Sequence, residues 1–186
     1  MEIERTIVAR WQEWSGEGIE HLVLRERQDR IVAEGVIWTA VEAHHFAVLY
    51  RIECDAEWRV KTTYARVIGA DTAVDLTTDG AGHWRNATGL ALPALEGAID
   101  VDLSITPFTN TLPIRRLNLT AGQHADIRVV YLGFPDLNLS IDRQRYTCLK
   151  SGQYRYESLD TEFTRDIETD ADGLIVTYPG LFRRVL

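Results

Sequence analysis

A chain of 186 residues with 45% hydrophobic and 26% charged side chains has the size and composition of one soluble globular domain over residues 1–186, and it can bury a core without disulfides or metal. Its 20 Lys and Arg against 28 Asp and Glu leave a net charge of −8, which excludes a general nucleic-acid binder and disfavours docking on an anionic membrane. Thirteen Gly and five Pro are too few for a low-complexity chain.

The opening residues Met1-Glu2-Ile3-Glu4-Arg5 have no positive n-region leading into an apolar stretch, so a secretory signal is not expected. No apolar run reaches the length of a membrane-spanning helix. Both readings predict a cytoplasmic protein. Cys54 and Cys148 form no CxxC pair and are expected to be free thiols there.

Ile3, Ile7, Trp11 and Trp14 recur at helical spacing, but Ile7, Ala9 and Trp11 also alternate, so a first strand is expected. Trp58, Val60, Thr62 and Tyr64 alternate and are expected on one strand face. Val74, Leu76 and Thr78 follow in the same period. Asp79-Gly80-Ala81-Gly82 is a turn signal, because Gly takes positive φ without steric conflict. Asp100 and Asp102 fall on one face of a further strand. Residues 106–117 contain Pro107 and Pro113 and read as irregular, with one or two short helical turns. Ala125 to Tyr131 and Leu137 to Ile141 alternate again, and Phe163 to Ile167 closes the series. Ser151-Gly152 and Asp172-Gly173 are hairpin signals between them. The fold class is therefore mainly β: a single antiparallel curved half-barrel or partly closed barrel with little helix.

Familiar catalytic and metal patterns are missing. His44 and His45 are neighbours on a strand and point to opposite faces, and His21, His83 and His124 are scattered, so no metal site is expected. There is no Gly-x-Ser-x-Gly, and Cys148 has no local partner for nucleophilic catalysis. Gly80-Ala81-Gly82 leads into His83-Trp84, a strand and not a helix start, so no dinucleotide cofactor is expected. Asp100 and Asp102 would lie roughly 6.5–7 Å apart along a strand, a spacing that inverting glycosidases also use. The simpler reading pairs one of them with Arg115 or Arg116.

The stretch from Asp100-Val-Asp-Leu through Thr106-Pro-Phe-Thr-Asn-Thr-Leu-Pro-Ile-Arg-Arg-Leu117 resembles the signature of the bacterial glycolipid-binding family, formerly a domain of unknown function. Similar segments lie at Gly18-Ile-Glu20, at Tyr50 through Trp58, at Asp79-Gly-Ala-Gly-His-Trp84, at Tyr146-Thr147, at Tyr154-Arg-Tyr156, at Phe163 and at Asp172-Gly-Leu-Ile-Val-Thr-Tyr-Pro-Gly-Leu-Phe182. The resemblance spans nearly the whole chain. It implies a half-barrel similar to bacterial lipoprotein carriers, with an apolar interior able to hold acyl chains. Exported carriers have signal peptides and none is read here, which counts against periplasmic shuttling.

The expected function is a non-catalytic binding protein for an amphipathic small molecule, a lipid or glycolipid. Trp58, Trp84, Phe108 and Tyr178 are the candidate aromatic walls of a cavity. Asp102, Thr106, Asn110, Arg115 and Arg116 are candidates for the polar head at its mouth. Residues 106–117 would form a fixed rim or lid, with Phe108 and Leu112 facing the tail. The alternatives are a carbohydrate or ester hydrolase using Asp102 or Asp100, and a homodimeric scaffold whose edge strands pair.

Overall fold

The computed structural model describes residues 5–186, so the expected strand position at Ile3 lies outside the described residues. In chain order the strands of the first half are β1 (Arg5–Glu13), β2 (Ile19–Glu26), β3 (Arg30–Val41), β4 (His44–Asp55), β5 (Val60–Val67), β6 (Ala73–Thr78) and β7 (Trp84–Asn86). The second half contributes β8 (Asp100–Leu103), β9 (His124–Gly133), β10 (Asn138–Lys150), β11 (Gln153–Ser158), β12 (Thr164–Thr169), β13 (Ile175–Tyr178) and β14 (Phe182–Arg184). Among the described residues there is one α-helix, α1 (Thr111–Leu117), preceded by a 3-10 turn at Phe108–Asn110.

All the strands belong to one curved sheet of order β7-β6-β5-β4-β3-β2-β1-β14-β13-β12-β11-β10-β9-β8. The first and last strands thus meet in the middle of the sheet, with Trp11 opposite Arg184. Strand neighbours pair antiparallel throughout, as short turns between alternating segments require, except at one end. There β8 runs parallel to β9, with Asp102 beside Tyr131. A parallel pair needs a crossover, and residues 104–123 supply it.

That crossover corrects the expected rim or lid. Residues 105–114 of it lie in the hollow of the sheet, with Ile105, Phe108, Leu112 and Ile114 all buried. The segment looked too polar for a core, but several of its polar groups bond within it or to the sheet, and Asn110 Oδ1 and Thr111 Oγ1 are buried without a partner among the described residues. Thr106 Oγ1 accepts from the Phe108 backbone N–H at 2.9 Å, and Thr109 Oγ1 donates to Asp102 at 2.9 Å. Asn110 Nδ2 donates to the Tyr146 hydroxyl at 3.1 Å. Pro113 is tolerated because it falls in the first turn of α1, where N–H groups have no partner within the helix. The helix stops at Asn118, which takes a left-handed φ of 46°.

Two apolar clusters pack around this segment. One joins the β1–β7 half of the sheet to the inner faces of β8 and β9, through Trp11, Leu22, Tyr50, Trp84, Leu103 and Leu132. The other lies under α1 and contains Ile114, Tyr146, Tyr156, Ile167, Ile175 and Tyr178. The Trp11 indole N–H donates to the Ile175 carbonyl at 2.7 Å and so ties the first strand to β13.

The expected face of Trp58, Val60, Thr62 and Tyr64 also needs correction. Trp58 is not in β5: it takes a left-handed φ of 65° in the turn that Asp55 caps. Cys54 pairs with Val60 while Glu53 pairs with Thr62, so Lys61 is an extra residue. Such a bulge reverses the alternation. Val60 is inside, and beyond the bulge Thr63 and Ala65 face in.

Candidate functional site

Asp100 and Asp102 lie two apart on β8 and share the side that meets the crossover. Asp100 is fully buried and accepts from Arg116 Nε at 3.0 Å and from Arg116 Nη2 at 2.5 Å. Burial raises the Asp100 pKa, and the guanidinium opposes the rise. A carboxylate held in this way is a strut between strand and helix, and it is not free to act with Asp102 as a catalytic pair.

Asp102 has a different environment. Oδ1 accepts from Thr109 Oγ1 at 2.9 Å, and Oδ2 accepts from Gln144 Nε2 at 2.7 Å. The same Gln144 amide donates to Asp142 Oδ2 at 2.9 Å, so one nitrogen bridges two carboxylates. Among the described residues neither Asp102 nor Asp142 is ion-paired. Burial raises both pKa values. The Gln144 amide and the Thr109 hydroxyl restrain the rise at Asp102, to which Asp142 adds. At Asp142 the Gln144 bond restrains it and Asp160 adds to it.

Asp142 of this pair lines a groove of about 370 Å³ with aromatic walls from Tyr131, Tyr156 and Phe163, and Asp102 lies buried behind it. Ser140, Ser158 and Thr161 place hydroxyls around it, and Asp142 lies at its surface. Tyr156 packs edge-on against both Tyr146 and Phe163, at centroid separations of 5.5 and 5.9 Å. Burial raises the pKa of the Tyr156 phenol, and the Asp102 charge raises it further, so it remains a hydrogen-bond donor at neutral pH. The volume and the mixture of ring faces with convergent polar groups are those of a small-ligand site.

The nine residues singled out in the sequence separate into five places. Asp102, Asn110 and Tyr178 lie around the aromatic cluster behind the groove, with Asn110 bonded to Tyr146 and Tyr178 packed on Tyr156 and Phe163. Arg116 is the strut to Asp100. Thr106 and Phe108 are in the filled interior, where the Phe108 ring stacks on Tyr50 at 6.4 Å. Trp84 is buried, its indole N–H donating to the Ala98 carbonyl at 2.8 Å. Trp58 is buried with the Arg115 guanidinium 4.4 Å above its ring. Arg115 therefore turns away from Arg116 and from the groove.

Asp142, Gln144 and Tyr131 were missed. A signal for the first two was present, since the alternation of residues 137–141 continues and puts Ser140, Asp142 and Gln144 on one face. Nothing local joins that face to Asp102. The join depends on the β8–β9 parallel pair and the β9–β10 hairpin.

The family described as "Putative glycolipid-binding" matches residues 8–184. A crystal structure of a DUF1089 family protein from Pseudomonas aeruginosa is similar at 35% sequence identity, covering 91% of this chain and 92% of that one, with a TM-score of 0.80. Comparison with curated proteins gives no match. No helix among the described residues is long and apolar enough to cross a membrane. The matched span and the shared sheet agree with the curved β architecture built above, and the chain belongs to the family so described.

Proposed function

We propose that the protein is a non-catalytic binder of a glycolipid and takes the sugar headgroup in the groove between Tyr131, Tyr156 and Phe163. The carrying observation is the Asp102–Gln144–Asp142 bridge at the edge of that groove. Sugar hydroxyls are donors and need acceptors, and the Asp142 carboxylate, which has no ion-pair partner among the described residues, supplies one at the groove. Sugar rings present C–H faces that pack on aromatic rings. Asp102 would meet the head indirectly, by holding Gln144 and through it Asp142. Thr106, Asn110 and Arg116 serve the site by fixing the crossover, while Trp58, Trp84, Phe108 and Tyr178 serve it as packing. The interior filled by residues 105–114 leaves the alkyl tail outside the curve of the sheet.

Calorimetric titration with octyl glucoside below its micellar concentration tests this reading, with octyl sulfate as the anionic control. Saturable binding of the glucoside alone, lost in Asp142→Ala, is the expected result. No saturable binding of the glucoside, or binding indifferent to Asp142→Ala, overturns it.

A further inference from the structure

A second hollow, of about 530 Å³, opens where the end of α1 meets the β10–β11 and β12–β13 turns. Arg115, Asn118, Ser151, Tyr154, Thr169 and Asp170 contribute to its lining. It is polar and carries one aromatic ring, and no residue of the groove described above belongs to it.

The carboxylates at this hollow are already engaged. Asp172 receives Arg5 on both oxygens, at 2.6 and 2.7 Å. Asp170 Oδ1 accepts the backbone N–H groups of Asp172 and Leu174 at 2.9 and 3.0 Å, and its Oδ2 accepts Arg184 at 2.5 Å. Glu26 faces Arg5 at 3.7 Å and Arg115 at 3.3 Å. Three acids thus balance three arginines, and the negative charge nearby is neutralised.

Arg115 differs from the other two arginines. Its Nη1 donates to the Asp172 carbonyl at 2.8 Å and to Glu26, and its guanidinium carbon lies over the Trp58 ring, 4.4 Å from the centroid. Its stem runs against Gly173, which has a φ of +76° and where a Cβ would approach Arg115 Cδ to 2.9 Å. The side chain is held in place from three sides. Among the described residues its Nε and Nη2 have no hydrogen-bond partner. These two nitrogens form the edge that binds an oxyanion with two parallel bonds. A pre-organised fork loses little entropy on binding.

We propose that this hollow is a binding site for an acidic sugar, a hydroxylated ring carrying a carboxylate or a phosphate. The oxyanion sits on Nε and Nη2 of Arg115. The ring hydroxyls meet Ser151, Thr169 and Asn118, and the ring face lies against Tyr154. The site is independent of the groove and of the glycolipid reading.

The probes are glucuronate, glucose 6-phosphate, glucose and inorganic phosphate, each titrated by calorimetry against the wild type, Arg115→Gln, Ser151→Trp and Asp142→Ala. At least one acidic sugar should bind roughly tenfold or more tightly than glucose, the range of a charge-assisted hydrogen bond. Which one binds identifies the oxyanion. Arg115→Gln should remove the preference. Ser151→Trp starts from an exposed turn residue, fills the hollow without entering the core, and should abolish binding in a protein that melts like the wild type. Asp142→Ala should bind the acidic sugar normally, which separates failure here from failure of the groove. Equal binding of glucose, phosphate alone binding as tightly as glucose 6-phosphate, or acidic-sugar binding that survives either Arg115→Gln or Ser151→Trp overturns the proposal.

Discussion

Asp100 and Arg116 lock the only parallel strand pair to the only helix among the described residues. The contact is side-on, with Nε and Nη2 of Arg116 on the two oxygens of a carboxylate that has no solvent exposure. β8 is an end strand of only four residues, so its position depends on this fork as well as on its ladder with β9. The same fork fixes the crossover that fills the interior.

Arg116→Ala should destabilise the protein by about 3–5 kcal/mol, because it leaves Asp100 buried and unpaired. Arg115→Ala removes a partly exposed pair and a ring contact, and should cost only about 1 kcal/mol. Urea unfolding of the two variants checks the asymmetry. Equal small losses would show that Arg116 is not a strut.

Gly35→Ala should be strongly destabilising although alanine is the smallest change available. A Cβ at Gly35 would lie 2.2 Å from the Tyr50 ring, which packs over the glycine from the neighbouring strand. Tyr50 cannot retreat freely, since its hydroxyl donates to Glu20 at 2.5 Å and its ring stacks on Phe108. Overpacking of this kind costs about 1–3 kcal/mol. A melting temperature equal to the wild type would show that the ring moves at no cost.

Glu20 predicts an unusual pH dependence. It is buried, and desolvation pushes its pKa up to about 7, with the Thr106 and Tyr50 hydroxyls opposing the rise. Between the unfolded value near 4.5 and about 7 the native state holds a proton that the unfolded state has released. Stability from this group is therefore full below about pH 4.5, falls as pH rises to about 7, and is level beyond. The span corresponds to about 3 kcal/mol. Glu20→Gln should remove this slope, so the difference in unfolding free energy between the two proteins should vary with pH over that window. A difference that stays constant from pH 4 to 8 would contradict the shift.

Phe108→Asp should fail to fold, and not merely lose a ligand, because the side chain is 1% exposed and the new charge would have no partner. Leu112→Ala, also in the filled interior, should cost about 2–5 kcal/mol and leave a folded protein. Circular dichroism and thermal melts distinguish these outcomes. A folded Phe108→Asp would restore the lid reading of residues 106–117.

The mainly β architecture was legible because strand alternation is a local property. Val74 with Leu76, and Ile127 with Val129, reveal their strands without reference to any other part of the chain. The Arg115/Arg116 asymmetry was legible as well, since neighbours on any regular segment point in different directions. The signature around residues 100–117 pointed to the family whose model matches residues 8–184.

Its role was not legible. Whether a mixed polar and apolar segment is rim or core depends on where its hydroxyls and amides find partners. For Thr109 and Asn110 those partners are Asp102 and Tyr146, brought near by strands distant in sequence. The groove has the same origin: Asp102 and Asp142 are forty residues apart, and only the order β8-β9-β10 lets one Gln144 amide bridge them. Sequence by itself determined the mainly β class, the charge and the family, because these follow from local side-chain pattern. The tertiary structure decided what fills the interior and which carboxylates remain unpaired, because burial and pairing are set by contacts between elements that the chain order does not specify.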